Sequence, residues 1–168
     1  DVTGVQTCAL PISIIEGRAF GQFSSSKTQR PENLEPTKIE LDVQEDMQGM
    51  EHTISFEKCE VTIERTGMYL IIVGAQVGRE RTSPNSWIDF WLRINGVDVP
   101  NSNIRFSSVN HDQKDVAMTQ CVTHLGKTDH LNIMMSVSNL EDGLGIEAIQ
   151  PEGEPLIPSI ILTILQLQ

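Results

Sequence analysis

Four histidines, three cysteines and two carboxylate-bearing turns are the residues that would carry chemistry in this 168-residue chain. A metal site needs its histidine and carboxylate ligands gathered at short spacing. His52, His111, His124 and His130 are dispersed and form no His-x-His pair, so they read as four unrelated side chains. No Cys-x-x-Cys spacing occurs, and Cys59 and Cys121 lie in apolar runs that suit buried thiols better than a disulfide. Gly143-Leu144-Gly145-Ile146-Glu147-Ala148 fits G-x-G-x-x-A. A dinucleotide loop also requires a strand before it and a helix after it. Pro151 and Pro155 stand where that helix would run, which favours a loop. No G-x-S-x-G is present. Asn110-His111-Asp112-Gln113-Lys114-Asp115 and Glu141-Asp142 offer oxygens of the kind calcium takes in sets of about six to eight. Solvated turns are the first reading of these segments and calcium ligation the second. Trp87 and Trp91 share one parity of a strand, giving either a stacking face for a ligand or a face covered by a neighbouring loop. The expectation is a protein without catalytic, metal or cofactor sites.

The elements around these residues are short and alternating. Ile88, Phe90, Leu92 and Ile94 alternate with Trp87, Asp89, Trp91 and Arg93, the period-two signature of a strand with one buried face. Asn95-Gly96 follows, a pair that accepts the positive φ of a two-residue hairpin, and Pro100 stops pairing soon after. Further strands are expected at Phe20–Phe23, Lys38–Val43, His52–Glu57, Val61–Arg65, Met68–Val77, Val116–Leu125, Leu131–Val137 and Ile157–Leu167. Turn residues fall between nearly all of them and no sustained 3.6-residue apolar stripe occurs. Such spacing predicts an all-β sandwich or barrel.

The strands divide into two kinds. Ile88–Ile94 and Leu131–Val137 are apolar on one parity only. Met68–Val77, Val116–Leu125 and Ile157–Leu167 are apolar on both or nearly so, which calls for cover on both faces. A two-layer sandwich covers one face. The other would leave an apolar patch larger than monomers usually expose, and a symmetric homo-oligomer would bury it.

With 12 Lys+Arg against 23 Asp+Glu, the formal charge is −11, which argues against nonspecific nucleic-acid binding. No apolar run reaches the length of about 20 residues that spans a bilayer. Residues 2–12, Val-Thr-Gly-Val-Gln-Thr-Cys-Ala-Leu-Pro-Ile, resemble a translated sequencing adapter. Residues 1–13 are therefore set aside as non-native, with Cys8 among them, and the natural N-terminus is expected to lie upstream in an environmental sequence. Ile15-Glu16-Gly17-Arg18 matches an engineered protease site and is read as chance.

Four landmarks in order carry a family resemblance: Phe20-Gly21-x-Phe23, Gly67-x-Tyr69-Leu70-Ile71, Trp91-Leu92-Arg93-x-Asn95-Gly96-x-Asp98-Val99-Pro100-Asn101-Ser102, and Ile157-Pro158-Ser159-x-Ile161-x-Thr163. Residues 19–168 resemble the C1q/TNF-like jelly rolls of phage and other microbial surface proteins. The resemblance implies a ten-stranded, two-sheet jelly roll that forms a homotrimer about a threefold axis. It implies Tyr69, Ile71, Val73 and Ala75 in the protomer core. Leu70, Ile72, Gly74, Met118, Gln120, Val122, Leu162 and Ile164 would face the axis, and Trp87 and Trp91 would lie on a possible ligand face. The implied function is a non-enzymatic head domain, ending a longer phage tail-fibre, virion or bacterial-surface protein, that trimerises and recognises a cell-surface glycan or protein. The alternative is a soluble lectin-like or receptor-ligand module. The implied location is extracellular, on a virion or on a cell surface.

Overall fold

Burial alternates from Met68 to Val77 along Gly67–Gly78, the longest strand, placing Tyr69, Ile71, Val73, Ala75 and Val77 in the core. The first four are the core positions the resemblance implies. The computed structural model describes residues 17–53, 59–107 and 111–168; the adapter-like segment, Ile54 and Phe56 of the expected His52–Glu57 strand, and Asn110 lie outside them.

The described residues contain thirteen strands and no helix. In chain order they are β1 (Phe20–Ser25), β2 (Thr37–Lys38), β3 (Val43–Gln48), β4 (Met50–Thr53), β5 (Glu60–Ile63), β6 (Gly67–Gly78), β7 (Ile88–Ile94), β8 (Val97–Asp98), β9 (Ile104–Phe106), β10 (Asp115–Leu125), β11 (His130–Val137), β12 (Gly145–Ile146) and β13 (Ile160–Gln166). β2, β8 and β12 are two-residue pairings; ten longer strands remain. All pairings are antiparallel. One sheet runs β10-β6-β13-β1-β3 with β12 beside β6, and the other runs β4-β5-β11-β7-β8 with β2 beside β11 and β9 beside β7. The first and last strands are thus neighbours, with Phe20 opposite Leu165.

The two sheets close on one aliphatic core that includes Phe23, Ile63, Tyr69, Ile71, Leu92, Leu125, Ile133 and Leu162. Each fully buried aliphatic or aromatic side chain contributes about 1.5–3 kcal/mol. Three strands missed in the sequence belong here: β9, which pairs with β7, and two others. β3, Val-Gln-Glu-Asp-Met-Gln, is largely exposed and polar and sits at a sheet edge, where charge blocks further pairing. β12 falls in the glycine-rich G-x-G-x-x-A segment.

The Trp91–Ser102 signature is a set of matched constraints. Asn95 and Gly96 take φ of 51° and 80°, closing the hairpin between β7 and β8. Asp98 Oδ1 accepts from both Trp91 Nε1 and Arg93 Nε at 2.7 Å. Asn101 adopts φ 62°. Ser102 is fully buried: its Oγ donates to the Val99 carbonyl at 2.8 Å and accepts from the Leu92 amide at 3.0 Å, while its carbonyl accepts from Thr119 Oγ1 at 2.8 Å. The serine therefore ties the β7 hairpin to β10.

Candidate functional site

The outer face of the β10-β6-β13-β1 sheet is a ladder of three rungs. Val122, Leu70, Leu165 and Phe20 lie side by side in one. Gln120, Ile72, Thr163 and Gln22 form the next, and Met118, Gly74, Ile161 and Ser24 the third. Alternation on the pleat puts all of these on the face opposite the core. Met118 is 63% exposed and Val122 57%, and Val116, Ile161 and Leu165 are also exposed. The missing side chain at Gly74 opens a hollow of about 340 Å³ lined by Ile72, Val116, Met118, Ile157, Pro158 and Ile161. No Asp, Glu, Lys or Arg occupies any of the three rungs on these four strands. His124 lies further along β10, opposite Met68, and the nearest carboxylates are Glu45 and Asp46 on β3.

Six of the expected axial positions, Leu70, Ile72, Gly74, Met118, Gln120 and Val122, lie on this face. Leu162 and Ile164 do not: both are 0% exposed and point into the core. The register Ile161 to Gly74 and Leu165 to Leu70 places odd-numbered residues of β13 outward. A strand apolar on both parities carries no periodic signal to choose between them, so the correct outward set there is Ile161, Thr163 and Leu165.

The second sheet reverses the sequence expectation. β7 and β11 were expected to bury one face only, yet both are buried on both. Met134 and Trp91 are paired neighbours, 1% and 8% exposed. Asp89 takes both Arg105 Nε and Nη2 at 2.9 Å, and Asn132 Nδ2 donates to the Cys59 carbonyl at 3.0 Å. Polar side chains on that face are covered because each has a partner.

This corrects the tryptophan reading. Trp91 is buried with its Nε1 spent on Asp98, and Trp87 is half-buried with the Arg105 guanidinium 3.7 Å above its ring centroid. The two indoles are occupied within the chain and form no open stacking face.

The other candidate chemistry resolves into structure. Among the described residues no group of three or more His, Cys, Asp or Glu side chains could hold a metal. Asp142 is buried and spends its oxygens on Arg79 Nη1 at 3.3 Å and the Leu144 amide at 3.2 Å. His111, His124 and His130 are exposed on separate elements, and the His52 side chain lies outside the described residues. No disulfide joins Cys59 and Cys121, and burial pushes the pKa of each thiol up. In the G-x-G-x-x-A segment, Gly145 abuts the Gln29 carbonyl and pairs with Gly78. Glu147 beside it binds Arg30 Nη2 at 2.6 Å and Lys114 Nζ. That ion-pair cluster joins segments over a hundred residues apart and has no local sequence signal.

No protein-family description and no curated protein matches the chain. Among solved structures, it is similar to the crystal structure of murine APRIL at pH 5.0, with a TM-score of 0.52 and 13% identity over 89% of this chain and 99% of that one. The chain is a TNF-like, all-β, two-sheet sandwich.

Proposed function

We propose that residues 19–168 form a non-enzymatic, trimerising head domain of a surface or fibre protein. The observation that carries this reading is the uncharged aliphatic face built by β10, β6 and β13 on a chain of net charge −11. Over the seven residues of β13, at about 3.3 Å per residue and 4.8 Å per strand, these three strands share a face of roughly 23 Å by 14 Å. That is about 320 Å², within the range of the largest apolar patch on a monomer. A second copy buries it without bringing charges together. The interface set is Leu70, Ile72, Gly74, Met118, Gln120 and Val122, with Ile161, Thr163 and Leu165 from β13. Phage, virion or bacterial surfaces are the settings that the sequence resemblance supports. Recognition of a glycan or protein would then fall to exposed loops and not to Trp87 and Trp91.

Light scattering at micromolar concentration tests the assembly: three times the chain mass is expected, and a monomer would overturn it. A second reading, an extracellular receptor-ligand module, draws on the fold shared with murine APRIL. Retention of a cell-surface protein by the assembled chain would favour it over a purely structural role.

A further inference from the structure

Asn95 and Gly96 are exposed at the tip of the β7–β8 hairpin, and the space around Gly96 is open: a Cβ built there would meet nothing within 4 Å. The pair that suits the turn is also chemically labile. The Gly96 backbone nitrogen can attack the Asn95 side-chain carbonyl carbon and give up its proton. The bond from that carbon to Nδ2 breaks, and the amide leaves as ammonia with the proton. The cyclic imide then takes up one water and one of its two C–N bonds breaks, giving aspartate or isoaspartate. No oxidant or other reactant enters. The fold engages this side chain at both ends. Asn95 Nδ2 donates to Asp129 Oδ1 at 2.8 Å, and Asn95 Oδ1 accepts from the His130 amide at 2.9 Å. Asp129 is itself held, its Oδ2 accepting from the Gly126 amide at 2.7 Å and its carbonyl from the Ile63 amide at 2.9 Å. Closing the imide expels Nδ2 and so gives up the bond to Asp129. A hydrogen bond to a charged group biases such a local opening by about tenfold to a hundredfold. We propose that Asn95 is a deamidation site gated by Asp129. The carboxylate holds the amide back from imide closure in the folded chain. Conversion sets a second carboxylate against Asp129 and loosens the hairpin from the turn between β10 and β11. One contact thereby changes from a charge-assisted bond to a like-charge pair.

Peptide mapping of the whole chain, aged in mildly alkaline buffer, tests the gate. Asp129→Ala, shown to be folded by circular dichroism, should acquire acid at Asn95 about tenfold or more faster than wild type. In denaturant the two should react at one rate, since no gate exists there. Asp129→Asn disturbs the turn less, keeping an acceptor without the charge, and should fall between them. Equal rates in the folded wild type and both folded variants overturn the gate. An unreactive Asn95 in the denatured chain overturns the site. The consequence is read separately on the product. Asn95→Asp should lower the denaturant midpoint, and adding Asp129→Asn should restore it. An amide at position 129 can donate to the new carboxylate and still accept from the Gly126 amide. A midpoint unchanged in Asn95→Asp, or not recovered in the double variant, overturns the like-charge consequence.

Discussion

Arg105 lies flat on Trp87, its guanidinium carbon 3.7 Å from the ring centroid, while the same guanidinium forks onto both oxygens of Asp89. One side chain thus caps an aromatic face and neutralises a carboxylate that is almost fully buried. Arg105→Ala should expose the indole and leave Asp89 without a counter-charge. Tryptophan emission should shift to the red and the thermal midpoint should fall. A lysine in its place would restore charge but not the planar fork, so Arg105→Lys should recover only part of the midpoint.

β13 permits a direct test of parity. Leu162→Ala empties a core position and should cost about 2–5 kcal/mol. Leu165→Ala, three residues on, should change the folding free energy of the isolated chain by less than about 1 kcal/mol. Its effect should appear in the association constant instead. Chemical denaturation of dilute and concentrated samples separates the two.

Ile72→Glu provides the matching test on β6. The side chain is on the outer face, so the variant should fold with the same circular dichroism but scatter light as a monomer, because a carboxylate meeting its copies away from water is strongly unfavourable.

Tyr69 is the only tyrosine in the chain, fully buried, and its hydroxyl donates to the Arg65 carbonyl at 2.6 Å. Burial raises its pKa above the usual 10.0, with Arg65 opposing weakly. The phenol is neutral in both states below 10.0. Above it the unfolded chain ionises first, so this part of stability is intact below pH 10 and is lost as pH rises through the folded value. Tyrosinate absorbance should appear late and cooperatively with unfolding. Tyr69→Phe should lose about 1 kcal/mol at neutral pH and show a shallower alkaline decline.

Ser102→Ala removes the hydroxyl that serves both the Leu92 amide and the Val99 carbonyl. A buried donor left without a partner costs about 1–3 kcal/mol. Denaturant midpoints should register that loss, with amide exchange accelerated at Leu92.

Much of the fold was legible because alternation and turn chemistry are local. The Asn95-Gly96 hairpin, β6 and β10 are each specified within a dozen residues. What failed was the inference from polarity to exposure. Asp89, Asn132 and Trp91 sit on a face that reads as solvated, yet each has a partner that covers it: Arg105 and the Cys59 carbonyl from other elements, and Asp98 from across the hairpin. On β13, apolar residues at both parities left Leu162 and Leu165 indistinguishable until register was known. The Arg30–Glu147–Lys114 cluster was invisible for the same reason, since it is made by chain topology and not by spacing.

The adjacency of β1 and β13 has a kinetic consequence. β13 lies between β6 and β1, so this sheet has a gap at its centre until β13 is in place. A chain still being synthesised cannot join β1 to β6, and its core stays open on that side. Folding should therefore be slow, dominated by distant pairings, and any truncation within Ile160–Gln166 should leave a species prone to aggregation.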